Sequence, residues 1–367
     1  MSKVFVIGLD CAEPTLVFDR WREHLPHLSQ LMAGGTYGEL TSTIPAITVP
    51  AWSSMLSSQD PGQLGFYGFR NRADYSYERM TIASSRAVKA DRVWDILSRA
   101  GRDVVVAGVP QTYPVQPVKG CMISSFLTPS SHSEYAYPSA LKAEIEALVG
   151  GEYMVDVPQF RTENKEFLLQ QIYQLADQHD RVVRHLLTTK AWDFFMHVDM
   201  GVDRMHHGFW QFMDPAHHRY QPGNPYQHAI RDYYRYRDRK VGELLELMDL
   251  DRTAVLMVSD HGAKCMVGGV CFNDWLIREG YLVLKEPVSQ PTRFDLSLVD
   301  WSRTRAWGEG GYYGRCFLNV RGREPAGIVD PDDYESLRDE LIAKLEAMPD
   351  HQGQPMGTRA YKPQDIY

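Results

Sequence analysis

Asp10, Asp203, His207, Asp260 and His261 are the side chains in this sequence whose types and spacing could act together on a metal ion. Each closely follows an apolar run: Val4-Phe5-Val6-Ile7-Gly8-Leu9, Phe194-Phe195-Met196-His197-Val198, and Val255-Leu256-Met257-Val258. Runs of this length, bounded by glycine and polar residues, read as buried parallel strands. The five side chains then lie at or just past the carboxyl ends of strands, the edge of an open α/β sheet where ligands bind. Asp203 and His207 are four apart, so one helical turn puts them on one face. A mixed carboxylate and imidazole set suits zinc or another borderline divalent cation. Thr48 adds a hydroxyl in the loop Pro45-Ala46-Ile47-Thr48-Val49-Pro50, just before a predicted helix. A helix N-terminus favours an anion such as phosphate. A threonine hydroxyl becomes a nucleophile only when a base or metal removes its proton.

Taken singly, each of these has an ordinary reading. Asp10 would be an N-cap, Asp260-His261 turn chemistry, and Thr48 a capping hydroxyl. Three Asp/His elements on three strand ends favour ligation instead. His206 reads as a surface or supporting residue, His217-His218 as loop residues, and Cys11 as a small packing residue beside Asp10.

The elements that must position these groups follow from periodicity. A strand is expected over 3–9, then helices near 22–32 and from 51, a helix over 91–100 and a strand over 104–107. One helix is expected over 138–148 and two longer ones over 164–188 and 226–248, which feed strands ending near His197 and Val258. Alternating strands and helices predict an α/β fold with a central, mostly parallel sheet flanked by helices. Residues 1–110 read as the first part of that core, 111–160 as an insertion or cap, and 161–367 as the second part, incomplete at its end.

The 367 residues, 44% apolar and 11% aromatic, can bury a large core. A net charge of −8 argues against a nucleic-acid-binding surface. Five irregularly spaced cysteines suit reduced thiols rather than a disulfide framework. With no membrane-length apolar run and no leader pattern, the expectation is a cytoplasmic protein without a membrane partner. Oligomeric state is not legible. A dinucleotide-binding reading is weakened because Gly8-Leu9-Asp10-Cys11-Ala12 lacks Gly-x-Gly-x-x-Gly.

Together, Gly8-Leu9-Asp10, the loop around Thr48 with Asp60-Pro61-Gly62, Asp203-x3-His207 and Ser259-Asp260-His261-Gly262 resemble the alkaline phosphatase superfamily, type I phosphodiesterase/nucleotide pyrophosphatase group. The resemblance implies an alkaline phosphatase-like fold and hydrolysis of a small-molecule phosphoester through a phosphothreonine at Thr48. It also implies two zinc ions, one held by Asp10, Asp260 and His261 with Thr48, the other by Asp203 and His207. Two features depart from the family. Its third histidine, distal in sequence, has no clear counterpart, since after His261 the chain holds only His351, in a turn context. The chain also ends, at Gln364-Asp365-Ile366-Tyr367, where the fold would be expected to continue, as in the N-terminal part of a longer member. The alternatives are a phosphomonoesterase, and a weakly active or non-catalytic metal-binding relative lacking one ligand. The sulfatase branch is disfavoured because Thr48-Val49-Pro50-Ala51-Trp52 lacks its Cys/Ser and Arg. Tyr67, Phe69, Tyr312 and Tyr313 are candidates to stack on a base.

Overall fold

A computed structural model describes residues 3–367, which divide into two compact units. The first comprises the chain through Phe69 together with Ala83–Val267; the second comprises Arg70–Ile82 and Gly268–Tyr367.

The first unit holds a six-stranded sheet: β1 (Lys3–Leu9), β2 (Val104–Val109), β3 (Gly120–Ser124), β4 (Ala136–Tyr137), β5 (Phe194–Asp199) and β6 (Thr253–Val258), in the order β4-β3-β2-β5-β1-β6. All neighbours run parallel except β3 and β4. Strands buried on both faces need apolar residues on both sides, and the runs read in the sequence supply them. Phe5, Ile7, Val105 and Phe195 face one core, while Val6, Val104, Val106, Met196 and Val198 face the other. The helices are α1 (Pro26–Gly34), α2 (Thr48–Ser57), α3 (Val93–Arg99), α4 (Ala140–Val149), α5 (Lys165–Thr189), α6 (Gly201–Met213) and α7 (Ala229–Leu245). Residues of α2 and α3 pack with the second core, and residues of α1, α4, α5, α6 and α7 with the first. Flanking helices on a mostly parallel sheet are the expected fold class.

The register aligns the functional edge. Leu9 pairs with Asp199, and Gly8 pairs with both Val198 and Val258. The neighbouring strands β5, β1 and β6, the last at the edge of the sheet, therefore end side by side, each feeding one of the sequence-predicted elements.

Two boundaries differ from expectation. The segment 111–160, expected as an insertion or cap, instead supplies β3 and β4 at one edge of the sheet. The short apolar run Cys121-Met122-Ile123 lies among prolines and turn residues, and only pairing with β2 makes it a strand. The stretch 161–367, expected as one continuing core, leaves the first unit after Val267. The second unit pairs strands Ala306–Gly310 and Gly314–Leu318, and Arg70–Arg72 with Met80–Ile82, around a core containing Trp275, Trp307 and Leu341. Among the described residues no helix is long and apolar enough to cross a membrane.

A buried polar cluster includes His197 and Asp199 of β5. Arg237 Nη1 donates to Asp180 Oδ2 at 2.6 Å, Tyr233 bonds Asp199 at 3.2 Å, and Tyr153 meets His179 Nδ1 at 3.1 Å. His197, on β5, is fully buried beside His179, and neither of its ring nitrogens has a hydrogen-bond partner. Burial pushes His197 well below 6.5, and the nearby His179 and Arg237 push the same way. Burial also lowers His179, against the opposing pull of Asp180 and Asp199. Both imidazoles thus stay neutral in the fold, whereas the unfolded chain binds protons near 6.5. Their contribution is fully present above that value and is lost as pH falls toward the folded-state value. His197→Leu should therefore flatten the acid loss of stability, by about 2 kcal/mol at pH 5. Urea unfolding at pH 5 and pH 8 measures it, and an identical pH dependence in the two proteins would contradict this account.

Candidate active site

Asp10 is the first residue after β1 and is fully buried. Its backbone N–H bonds the Asp199 carbonyl at 3.0 Å, continuing the ladder one step past the strand. Trp52 Nε1, on α2, donates to Asp10 Oδ2 at 2.7 Å. The other oxygen, Oδ1, has no hydrogen-bond partner. Trp52 reaches this position across Gly8: a Cβ there would lie 2.7 Å from both Trp52 Cη2 and Val198 Cγ2. Glycine is required by that close approach.

Asp260 follows β6 and is also buried. Its Oδ1 accepts the Cys11 N–H at 3.1 Å, and its Oδ2 has no partner. Ser42 Oγ donates to the Asp260 carbonyl at 2.5 Å, and Ser259 Oγ accepts the Ala12 N–H at 2.9 Å, tying the turns after β1 and β6 together. His261 Nδ1 lies 2.9 Å from the Gly262 carbonyl, which can only accept, so the proton sits on Nδ1 and Nε2 carries a lone pair. That lone pair lies 3.7 Å from Asp10 Oδ1, 3.4 Å from Asp260 Oδ2 and 3.1 Å from Thr48 Oγ1. Ligand atoms of Asp10, Asp260 and His261 fall within 4.8 Å of one another. Two orphaned buried carboxylate oxygens and an imidazole lone pair converging on one point form a donor set that fits a divalent cation.

Thr48 is the first residue of α2 rather than lying before it, and no side chain caps that helix. Its hydroxyl therefore stands beside first-turn N–H groups that lack intrahelical acceptors. Asp203 and His207 lie in the first two turns of α6, with His207 Nε2 3.2 Å from Asp203 Oδ1. Arg204 holds the other Asp203 oxygen at 2.7 Å while gripping Asp156 with two bonds of 2.9 and 2.8 Å.

The fields at these carboxyls differ. Burial raises Asp10 well above the usual carboxylate range, reinforced by Asp260 and then Asp203. Burial likewise raises Asp260. Asp203 is pushed up by burial too, but the hydrogen bond to His207 and the pull of His207 and Arg204 outweigh it and hold the group at about 2. His206 is buried, not at the surface; its Nε2 lies 3.3 Å from the Tyr234 hydroxyl, and burial depresses it to about 3.

His217 and His218 stack on each other in a loop, and Phe69 packs edge-on against Phe126. Tyr312 and Tyr313 are exposed in the second unit, and His351 lies in an exposed turn there. Trp52, Arg204 and Ser42 act on the site but escaped the sequence reading, because only the fold brings them to it. Cys11, read as packing, donates through its backbone to Asp260 and places Sγ within 4.8 Å of ligand atoms of Asp203 and His261.

Trp52→Phe leaves both Asp10 oxygens without a donor. It should destabilise the protein by about 1–3 kcal/mol and weaken divalent-cation binding about tenfold or more. Gly8→Ala, which displaces the same indole, should act in the same direction at about 1–3 kcal/mol. Urea unfolding and calorimetric cation titration read both effects, and wild-type values for Trp52→Phe would refute the supporting role of the indole.

Comparison with curated protein sequences gives no match. In fold the chain is similar to two solved structures of phosphonoacetate hydrolase from Sinorhizobium meliloti 1021, in complex with phosphonoformate and with phosphonoacetate. Each is 17% identical, with a TM-score of 0.56, over 95% of this chain and 74% of the other. At that identity the likeness shows an alkaline phosphatase-like fold. The sequence profile described as "Type I phosphodiesterase / nucleotide pyrophosphatase" matches residues 4–367. With the profile spanning nearly its whole length, the chain belongs to the type I phosphodiesterase/nucleotide pyrophosphatase family of metal-dependent phosphoryl hydrolases.

Proposed function

We propose that this protein hydrolyses phosphodiester or pyrophosphate bonds of small molecules with Thr48 as nucleophile, forming a phosphothreonine. The observation that carries the reading is the position of Thr48 Oγ1, 3.1 Å from His261 Nε2 and at the head of α2. Asp10, Asp260 and His261, with Thr48, would hold one divalent cation, and Asp203 and His207 a second. When bound, such cations lower the pKa of the hydroxyl and neutralise charge on the phosphoryl oxygens and the leaving oxygen.

The chain's own residues do the rest. Thr48 Oγ1 attacks phosphorus, the Oγ1–P bond forms, and the bond from phosphorus to the ester oxygen breaks. The hydroxyl proton passes to solvent and the leaving alkoxide takes one up. Water then attacks the same phosphorus, the Oγ1–P bond breaks, Oγ1 takes up a proton to restore the hydroxyl, and the phosphorylated product leaves with the water's oxygen. The N-terminus of α2 favours the anionic group. The Nδ1 bond from His261 to the Gly262 carbonyl keeps the ring oriented with Nε2 inward. Arg204, braced by Asp156, keeps Asp203 ionised and aimed. The family assignment supports the diester reading; the fold relatives named for phosphonoacetate make phosphonates a further class to assay.

Thr48→Ala should reduce turnover by at least about 10³-fold while leaving metal content nearly unchanged. Asp260→Asn and His261→Ala should each lower metal content. Turnover of bis(p-nitrophenyl) phosphate, p-nitrophenyl phosphate and phosphonoacetate, with metal analysis of the same samples, checks this. Retained activity in Thr48→Ala would refute the phosphothreonine route, and a clear preference for the monoester would favour a phosphomonoesterase.

A further inference from the structure

Tyr233 and Asp199 are buried and have no part in the chemistry described so far. Asp199 is the last residue of β5, and its backbone carbonyl accepts the Asp10 N–H at 3.0 Å. Gly201, two residues on, is the first residue of α6, the helix that carries Asp203 and His207. The path of the chain from β5 into α6 therefore decides where that pair stands relative to Asp10.

Tyr233, on α7, grips this path at two points. Its hydroxyl lies 3.2 Å from each Asp199 oxygen, so one O–H is shared between both. The same hydroxyl oxygen sits against Gly201, where a Cβ would fall 1.8 Å from it. A side chain at 201 would have to displace the tyrosine or shift the start of the helix. Burial raises the phenol well above its ordinary 10, and Asp199 adds to the rise, so the group stays a donor across the neutral range. Tyr173 packs edge-on against the ring at 5.2 Å. Arg237 Nε, 3.6 Å from Asp199 Oδ2, brings the opposite charge that a buried carboxylate needs. The device repeats the one behind the first site. Trp52 reaches Asp10 across Gly8, and Tyr233 reaches Asp199 across Gly201.

We infer that Tyr233 is a positioning residue for the second cation site: its hydroxyl, held between Asp199 and Gly201, sets where α6 begins and so aims Asp203 and His207. Asp10, Asp260 and His261 follow β1 and β6, whose turns are tied by Ser259 and the Cys11 N–H, so the first site does not depend on this contact. Loss of a group that supports a metal ligand weakens metal binding by about 10–100-fold. Tyr233 acts through the backbone, one step farther back, so the lower end of that range applies. The inference rests on reading Asp203 and His207 as the second site.

Cobalt(II) titration of the chelator-treated full chain, followed by calorimetry, tests it in wild type, Tyr233→Phe, Gly201→Ala and Asp203→Asn. Wild type should bind two equivalents, and the one lost in Asp203→Asn identifies the second site. Tyr233→Phe keeps the ring and its packing, and Gly201→Ala removes no polar partner, so the test does not hang on the folding of one variant. Each should bind the first equivalent as wild type does and the second about tenfold more weakly. Turnover of bis(p-nitrophenyl) phosphate in both should need correspondingly more cobalt. A merely structural role would leave the ratio of the two affinities unchanged. A wild-type second affinity in either variant, or equal weakening of both equivalents, would overturn the role of Tyr233 and leave both sites standing. A wild-type chain that binds one equivalent only, or an Asp203→Asn chain that keeps two, would overturn the second-site reading and the inference with it.

Discussion

Two carboxylates, Asp10 and Asp260, are held out of water at the ends of neighbouring strands with one oxygen of each left unpaired. An ion in a protein interior carries a penalty of several kcal/mol unless an opposite charge compensates it. Trp52 and the Cys11 N–H satisfy half of each carboxyl, and His261 turns a lone pair rather than a proton toward the remaining half. The arrangement repels anions and asks for a positive charge. Burial raises both carboxyls, reinforced at Asp10 by Asp260 and at Asp260 by Asp203, a perturbation of the kind that gathers at functional sites.

That unfavourable cluster persists because rigid elements impose it. The ends of β5, β1 and β6 are in register, the turns after β1 and β6 are tied by Ser259 and Cys11, and Trp52 locks Asp10 through the gap left by Gly8. Thr48 is placed by the helix that carries Trp52, so one element supplies both the hydroxyl and the support for its neighbour. Arg204 performs the matching task on α6, where its two hydrogen bonds to Asp156 brace the one it donates to Asp203. Sites built on strand ends and helix starts hold their geometry better than sites on free loops.

Much of this was legible in the chain. The apolar runs ending at Leu9 and Val198 announced parallel strands, because burial on both faces leaves no polar alternation; the run ending at Val258, expected to be buried, instead forms the parallel edge strand, where Ala254 and Leu256 are exposed. Asp203 and His207, four apart, announced a shared helix face. Other features have no local signature. The edge strands β3 and β4 exist only through pairing, which proline-rich surroundings conceal. Trp52 reads as a core residue until its N–H is seen against Asp10, 42 positions away. Arg204 and Asp156 are 48 apart and meet only when α6 docks. Cys11 looked like filler because no spacing rule announces a backbone N–H that serves Asp260, at another strand's end.

The central claim is that the Asp10, Asp260 and His261 cluster is a cation site on which the fold leans. Thermal and urea unfolding of the chelator-treated protein with increasing free zinc tests this most directly. The account predicts saturable stabilisation, about 2.7 kcal/mol when zinc reaches a hundred times its dissociation constant. Asp260→Asn should largely abolish that gain. A wild-type chain whose stability is indifferent to zinc and to every other divalent cation tried would contradict it.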